Sequence, residues 1–202
     1  DFTGPVLDVL AELKKSGTVK YTGLGGTTAY EMARVMRTGR FDVVLTAFNY
    51  SLLWREAEIE IFPAAREQNM GIVIGSPLQQ GALSKRYDAA IDGEARWLSN
   101  PRREQFQALY RLLDEIEMPI TELALRFVVS NPDISCLLMG ARSPQEVEQN
   151  AAAIAKGPLP KALLKKVDKI AAMVPFRPYE ETATMGWQLP NPRNYKGPGG
   201  VR

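Results

Sequence analysis

Four times along this chain a short apolar run gives way to a segment of helical length and amphipathic pattern. The apolar runs are Thr18–Leu24, Phe41–Phe48, Gly71–Ile74 and Cys136–Met139. The helical segments between and after them are Ala29–Arg37, Glu56–Gln68, Arg102–Glu117, Ile120–Val129, Ser143–Ala155 and Pro160–Met173. A further helix is predicted over Pro5–Lys15, where Val6, Leu7, Leu10 and Leu13 share one face. Strands joined by helical crossovers run parallel, and right-handed crossovers lay them side by side. Such a chain is an open doubly wound sheet or part of a (β/α)8 barrel. A full barrel typically needs about 250 residues and twice as many strands. The chain starts at Asp1 and opens on a helix with no strand before it, as would a cut through the middle of a repeating unit.

Local breakers refine this outline. Pro63 should kink the helix around it or reset its start. Asp88–Pro101, holding Trp97, reads as an irregular loop. From Val174 onward come Pro175, Pro178, Pro190, Pro192, Pro198 and four glycines, which exclude regular helix or central strand. Residues 1–173 therefore form one α/β unit and 174–202 a Pro/Gly-rich tail. The chain has 45% hydrophobic and 24% charged residues, as a globular protein does. Its 25 basic and 23 acidic residues are interspersed, which gives no nucleic-acid footprint. No apolar run is long enough to span a membrane. The single cysteine, Cys136, reads as a small core residue and suits a reducing cytoplasm.

Two strand ends carry chemistry. Ile72-Val73-Ile74 stops at Gly75-Ser76-Pro77 and opens into a loop with Gly81, Ser84, Lys85 and Arg86. Cys136–Met139 ends in Gly140-Ala141-Arg142-Ser143-Pro144 and runs into a helix. In α/β folds ligands bind at such carboxyl ends. A pyrophosphate needs backbone N–H groups, glycines that let the backbone approach, and hydroxyl donors. The loop offers Ser76, the amides from Leu78 to Leu83, Gly81, Ser84 and two cations; a plain Gly/Ser loop is the alternative. At the second end Ser143 is an expected N-cap, with Pro144 in the first turn and Glu146 placed for a capping box. The missing G-x-G-x-x-G disfavours a doubly wound dinucleotide domain.

The segments FDVVLTAFNYSLLWREAEIEIFPAAREQNMGIVIGSPLQQGALSKRY and ALRFVVSNPDISCLLMGARSPQEVEQNAAAI resemble the aldo-keto reductase family, specifically the C-terminal half of its barrel. Such proteins are (β/α)8 TIM barrels that move hydride between NADPH or NADH and a carbonyl, alcohol or sugar. The resemblance implies that this chain supplies the fifth to eighth strands and that an N-terminal half is missing. It assigns the loop with Ser76, Pro77, Leu78, Gln80, Gly81 and Leu83 to the pyrophosphate. It places the turn Gly140, Ala141, Arg142, Ser143, with Glu146, near the adenosine ribose and any 2′-phosphate, and Gln149 and Asn150 near the adenine. Arg142 favours NADP; Glu146 favours NAD if it faces the ribose. At the nicotinamide end the pattern departs. Gly25-Gly26 stands where many relatives have Ser-Asn, Leu45 where many have Gln, and Gly75 where many have a ring. Backbone groups at Gly25 and Gly26, with Phe48, Asn49 or Trp54, are the expected substitutes; a looser site or a divergent branch is the alternative.

The family's tyrosine, lysine, aspartate and histidine lie on the first four strands, which have no counterpart here. The chain has no histidine at all. Tyr21, Tyr50, Tyr87 and Tyr110 read as core or rim residues, so no catalytic residue is assigned and the isolated chain is expected to be inactive. The competing reading is a non-catalytic cofactor-sensing or scaffold protein on the same fold.

Overall fold

The computed structural model describes residues 3–93 and 98–174. The predicted tail beyond Val174, and Trp97, lie outside them. A four-stranded sheet runs in the order β1 (Gly23–Gly26), β2 (Val43–Ala47), β3 (Gly71–Gly75), β4 (Ile134–Leu138). Every neighbouring pair is parallel. The helices are α1 (Pro5–Lys15), α2 (Ala29–Met36), α3 (Ile61–Glu67), α4 (Asp88–Asp92), α5 (Asn100–Ile116), α6 (Ile120–Val129), α7 (Pro144–Ala155) and α8 (Lys161–Ala171).

Strand alternation divides the sheet into two unlike faces. Val44, Thr46, Ile72 and Ile74 are buried, in the core with Met32, Met36, Ile61 and Phe62 of α2 and α3. Val43, Leu45, Ala47 and Val73 on the other face are only half-buried, and Cys136 and Leu138 are exposed. The helices thus cover one side. The aromatic core lies behind the loops, where Tyr50 meets Phe62 edge-on at 4.8 Å and Trp54 meets Phe106 at 6.3 Å.

Four local expectations are corrected. The first strand starts at Gly23, not Thr18. Before it, the Asp42 carboxylate accepts from the Thr22 amide at 2.8 Å, and Tyr21 is 72% exposed, so the ladder begins only where β2 offers backbone. The helix predicted from Glu56 splits into a 3-10 turn, Glu56–Glu58, and α3, because Glu60 leaves helical geometry and Pro63 sits in the first turn of α3. The loop predicted over Asp88–Pro101 contains α4, whose late carbonyls at Ala90 and Ile91 accept from the Arg103 guanidinium. It also contains the start of α5, capped by Ser99. Cys136 is exposed rather than buried. It lies on edge strand β4, opposite Val73 and just past a register shift at which the Ser135 hydroxyl accepts from the Ile72 amide.

Candidate functional site

Parallel strands bring their carboxyl ends to one edge of the sheet. There the structure gathers Gly25 and Gly26 at the end of β1, and Ser76, Pro77, Leu78, Gln80, Gly81 and Leu83 after β3. Gly140, Ala141, Arg142 and Ser143 follow β4, with Glu146, Gln149 and Asn150 on α7. The β3 and β4 loops spring from adjacent strands. Gly25 and Gly26 lie two strands from β3, about 10 Å away.

The β3 loop is a tight, largely self-satisfied coil. Gln79 N–H donates to Ser76 O at 3.0 Å, Gly81 N–H to Leu78 O at 3.0 Å, Ala82 N–H to Gln79 O at 3.1 Å and Leu83 N–H to Leu78 O at 3.1 Å. Four of the amides expected to face a phosphate therefore serve the loop itself. Leu83 is fully buried and Pro77 is buried, so both shape the loop from beneath. Ser76 is half-buried and Gln80 exposed. Gly81 has a φ of 97°, and its carbonyl accepts from Ser84 Oγ at 2.8 Å and from Tyr87 Oη at 3.1 Å. A Cβ there would make only ordinary contacts, 3.6 Å to Ser84 Oγ and 3.7 Å to Tyr87 Oη, so it is the positive φ rather than lack of room that suits glycine. The two cations differ. Arg86 is bound to Asp88 and Asp114 and stacks over Tyr110, whereas Lys85 is exposed and makes no ion pair among the described residues.

At α7 the expected cap forms: Ser143 Oγ accepts from Glu146 N–H at 3.2 Å. The Glu146 carboxylate reaches Arg142 instead of closing a capping box on Ser143. Its Oε2 accepts from the Arg142 amide at 2.7 Å and its Oε1 from the Arg142 guanidinium at 3.1 Å. These bonds, the backbone one foremost, hold the Glu146 carboxyl below the usual carboxylate range. Arg142 remains 87% exposed. Gln149 is exposed, but Asn150 is buried and its amide donates to Met139 Sδ, which turns it away from solvent.

Gly25 and Gly26 differ sharply. A Cβ at Gly25 would meet nothing within 4 Å, while one at Gly26 would stand 3.0 Å from Met32 Sδ. Asn49 and Trp54 are buried, so neither offers its side chain to a ligand at that end. Tyr50 and Tyr110 lack the setting of a general acid. Burial pushes the Tyr50 hydroxyl up to about 12. Burial likewise raises Tyr110, whose oxygen accepts from the Tyr87 amide.

Sequence reasoning missed a buried polar group beneath these loops. Gln79 and Ser51 are fully buried, and Gln79 Nε2 donates to Ser51 Oγ at 3.2 Å and to Phe48 O at 3.0 Å. Asn49 Nδ2 donates to Thr46 Oγ1 at 2.7 Å. The one sequence cue is polar residues interrupting otherwise apolar stretches, at Asn49 and Ser51 and at Gln79.

Comparison with known proteins matches residues 4–172 to the Aldo/keto reductase family. The chain is 29% identical to a pyridoxal 4-dehydrogenase of Microbacterium luteolum over 147 residues, covering 70% of this chain and 41% of that protein. It is 28% identical to an NADH-specific methylglyoxal reductase of Escherichia coli over 157 residues, covering 72% and 47%. The chain thus spans less than half the length of these relatives. In structure it is similar to an aldo-keto reductase of Bacillus halodurans in its holo form. The TM-score is 0.67 at 24% identity, over 84% of this chain and 56% of that one, which supports the shared fold.

Proposed function

From the premise that this chain belongs to the aldo/keto reductase family, we propose that it is the cofactor-binding half of an NAD(P)(H)-dependent oxidoreductase, equivalent to strands five to eight of the barrel. The observation that carries the reading is the juxtaposition of the Ser76–Ser84 loop and the capped start of α7 at adjacent strand ends. The half-covered apolar face, with Leu45, Val73 and the exposed Leu138, supports completion of the barrel by four further strands. The catalytic groups belong to that other half. A cytoplasmic setting fits a chain with a single cysteine.

The residues fit a dinucleotide. Ser76 and Gln80 border the pyrophosphate from the β3 loop, with Lys85 as its cation. Gly140, Ala141, Arg142 and Ser143 receive the adenosine phosphate side, and Gln149 the adenine. The backbone at Gly25 and Gly26 meets the nicotinamide end. When bound, the nicotinamide supplies or accepts hydride. The relatives' names, which speak of pyridoxal, methylglyoxal and an aldose, support a small carbonyl compound, its alcohol or a sugar as substrate.

Arg142 and Glu146 decide the choice between NADP and NAD. A 2′-phosphate pairs with the exposed guanidinium but competes with the Glu146 carboxylate already there. Preference for NADPH is therefore expected but modest. The test compares dissociation constants for NADPH and NADH in the wild-type chain, Arg142→Ala and Glu146→Gln. Arg142→Ala should lower the NADPH/NADH preference by roughly fivefold or more, and Glu146→Gln should raise it. An unchanged ratio in Arg142→Ala would refute this placement of the adenosine end. A wild-type chain that binds neither cofactor would refute the cofactor-binding reading.

A further inference from the structure

The two central loops hold backbone that most residues avoid. Ser76, Gln79 and Gln80 have φ of 56°, 48° and 54°, and Phe48, in the neighbouring loop, has 66°. Non-glycine residues in this region are strained by their Cβ atoms. Such strain persists only where the surroundings over-determine the conformation. A chain free to relax would turn Ser76 and Gln80 elsewhere.

The constraint converges on one side chain. Gln79 is 0% exposed. Its Nε2 bonds both Phe48 O, at 3.0 Å, and Ser51 Oγ, at 3.2 Å, so it spans from the β3 loop to the β2 loop. A carbonyl oxygen only accepts, so the atom facing Phe48 O must be the nitrogen. One more bond, Phe48 N–H to Gly75 O at 3.3 Å, ties the two loops at their base. The Gln79 backbone meanwhile makes the first turn of the loop: its N–H donates to Ser76 O and its O accepts from Ala82 N–H. The residue that bends the loop is also the one that anchors it to the floor.

We propose that Gln79 is a positioning residue, whose buried amide holds the Ser76–Ser84 loop in its ligand-receiving shape without touching the ligand. The inference rests on the nucleotide reading above. Gln79→Met keeps the volume and removes both bonds, so Phe48 O loses its side-chain donor and Ser51 Oγ keeps only the Trp54 N–H at 3.3 Å. In this variant, amide hydrogen exchange across residues 78–84 should quicken at least tenfold, with β2 and β3 retaining their protection. The dissociation constant for NADPH should rise about tenfold, while the helical circular dichroism stays that of the wild type.

Unchanged loop exchange in Gln79→Met would overturn the inference, whatever happens to the nucleotide. Quickened exchange with unchanged NADPH affinity would overturn it too, since the held shape would then be irrelevant to binding. Quickened exchange in a chain whose wild type binds no NADPH would support the brace and refute the nucleotide reading, so the two fail separately. Should Gln79→Met not fold, Ser51→Ala removes one of the two acceptors. It must quicken exchange in the same residues to a smaller degree, and its failure to do so would overturn the proposal.

Discussion

Alanine substituted separately at Gly25 and Gly26 should have unequal effects, although the two residues are neighbours in one strand. An added Cβ at Gly26 would lie 3.0 Å from Met32 Sδ, 3.2 Å from Cγ and 3.6 Å from Cε. Ordinary carbon contacts fall near 3.5–4.0 Å. Met32 is 5% exposed within the core, so its side chain can yield only by disturbing other packed atoms. Overpacking of this kind costs about 1–3 kcal/mol, and the pliable methionine places it near the lower end. Against this, any Gly→Ala change at a compatible backbone gains about 0.4–1 kcal/mol by restricting the unfolded chain. At Gly25 only that gain applies, because a Cβ meets nothing within 4 Å. Gly25→Ala should therefore match or exceed wild-type stability, and Gly26→Ala should fall below Gly25→Ala by about 1 kcal/mol. Urea unfolding at equal m-values measures the difference. In a Met32→Ala background the difference should vanish, since the overlapping atoms are gone. Equal stabilities of the two variants in the wild-type background would refute the packing argument. The result also bears on the site, because any side chain at position 26 would meet the same sulfur.

Glu122 joins α6 to the end of α7, accepting from Arg126 at 3.0 Å and from Lys156 at 2.7 Å, with its side chain only 13% exposed. Burial opposes ionisation, yet the Lys156 and Arg126 hydrogen bonds win and hold its carboxyl below the ordinary 4.5. Its contribution is therefore present above pH 4.5 and lost as pH falls through the lower folded value. Glu122→Gln should cost about 1–2 kcal/mol at pH 7 and less at acidic pH, and an equal cost at both would count against the ion pair as the cause. Ser143→Ala should cost about 1 kcal/mol by removing the cap on the Glu146 amide, read by urea unfolding, and Ser143→Thr should restore most of it.

What the sequence made legible follows from the range of the forces involved. Strand order and direction were readable because Val44, Ile72 and Ile74 sit in short apolar runs separated by helices, and a parallel crossover leaves little topological choice. The helix Ile120–Val129 was bounded correctly because Pro119 forbids an earlier start. The Ser143 cap was readable because it acts over three residues. Features that depend on distant partners were not. Cys136 looked like core because SCLLMG is apolar, but burial belongs to the strand's place at the sheet edge, which local composition does not encode. The start of β1 is set by the Asp42 carboxylate, twenty residues away. Arg142 and Glu146 were both identified, but not their mutual pairing, which makes the local charge at the start of α7 smaller than either residue alone suggests.

The same distinction explains why the loop residues named from motif and those that hold the loop are different sets. Gly81 and Ser76 announce themselves because a tight turn favours small residues. Gln79 does not, since its role exists only once the β2 loop arrives beneath it. Side chains that border a ligand are constrained by the ligand's chemistry and so recur in recognisable patterns. Side chains that set loop shape are constrained by whichever neighbour happens to lie below, and can differ between related chains while the outer surface stays alike. The glycines at the ends of β1 and β3 support this argument from the other direction. Gly25, Gly26 and Gly75 carry no side chains, and Ala47 Cβ and Leu45 Cδ2 stand 3.4 Å from the Cβ position of Gly75. A side chain at Gly75 would pack directly against Leu45 and Ala47, so what that position can carry depends on the β2 residues beside it.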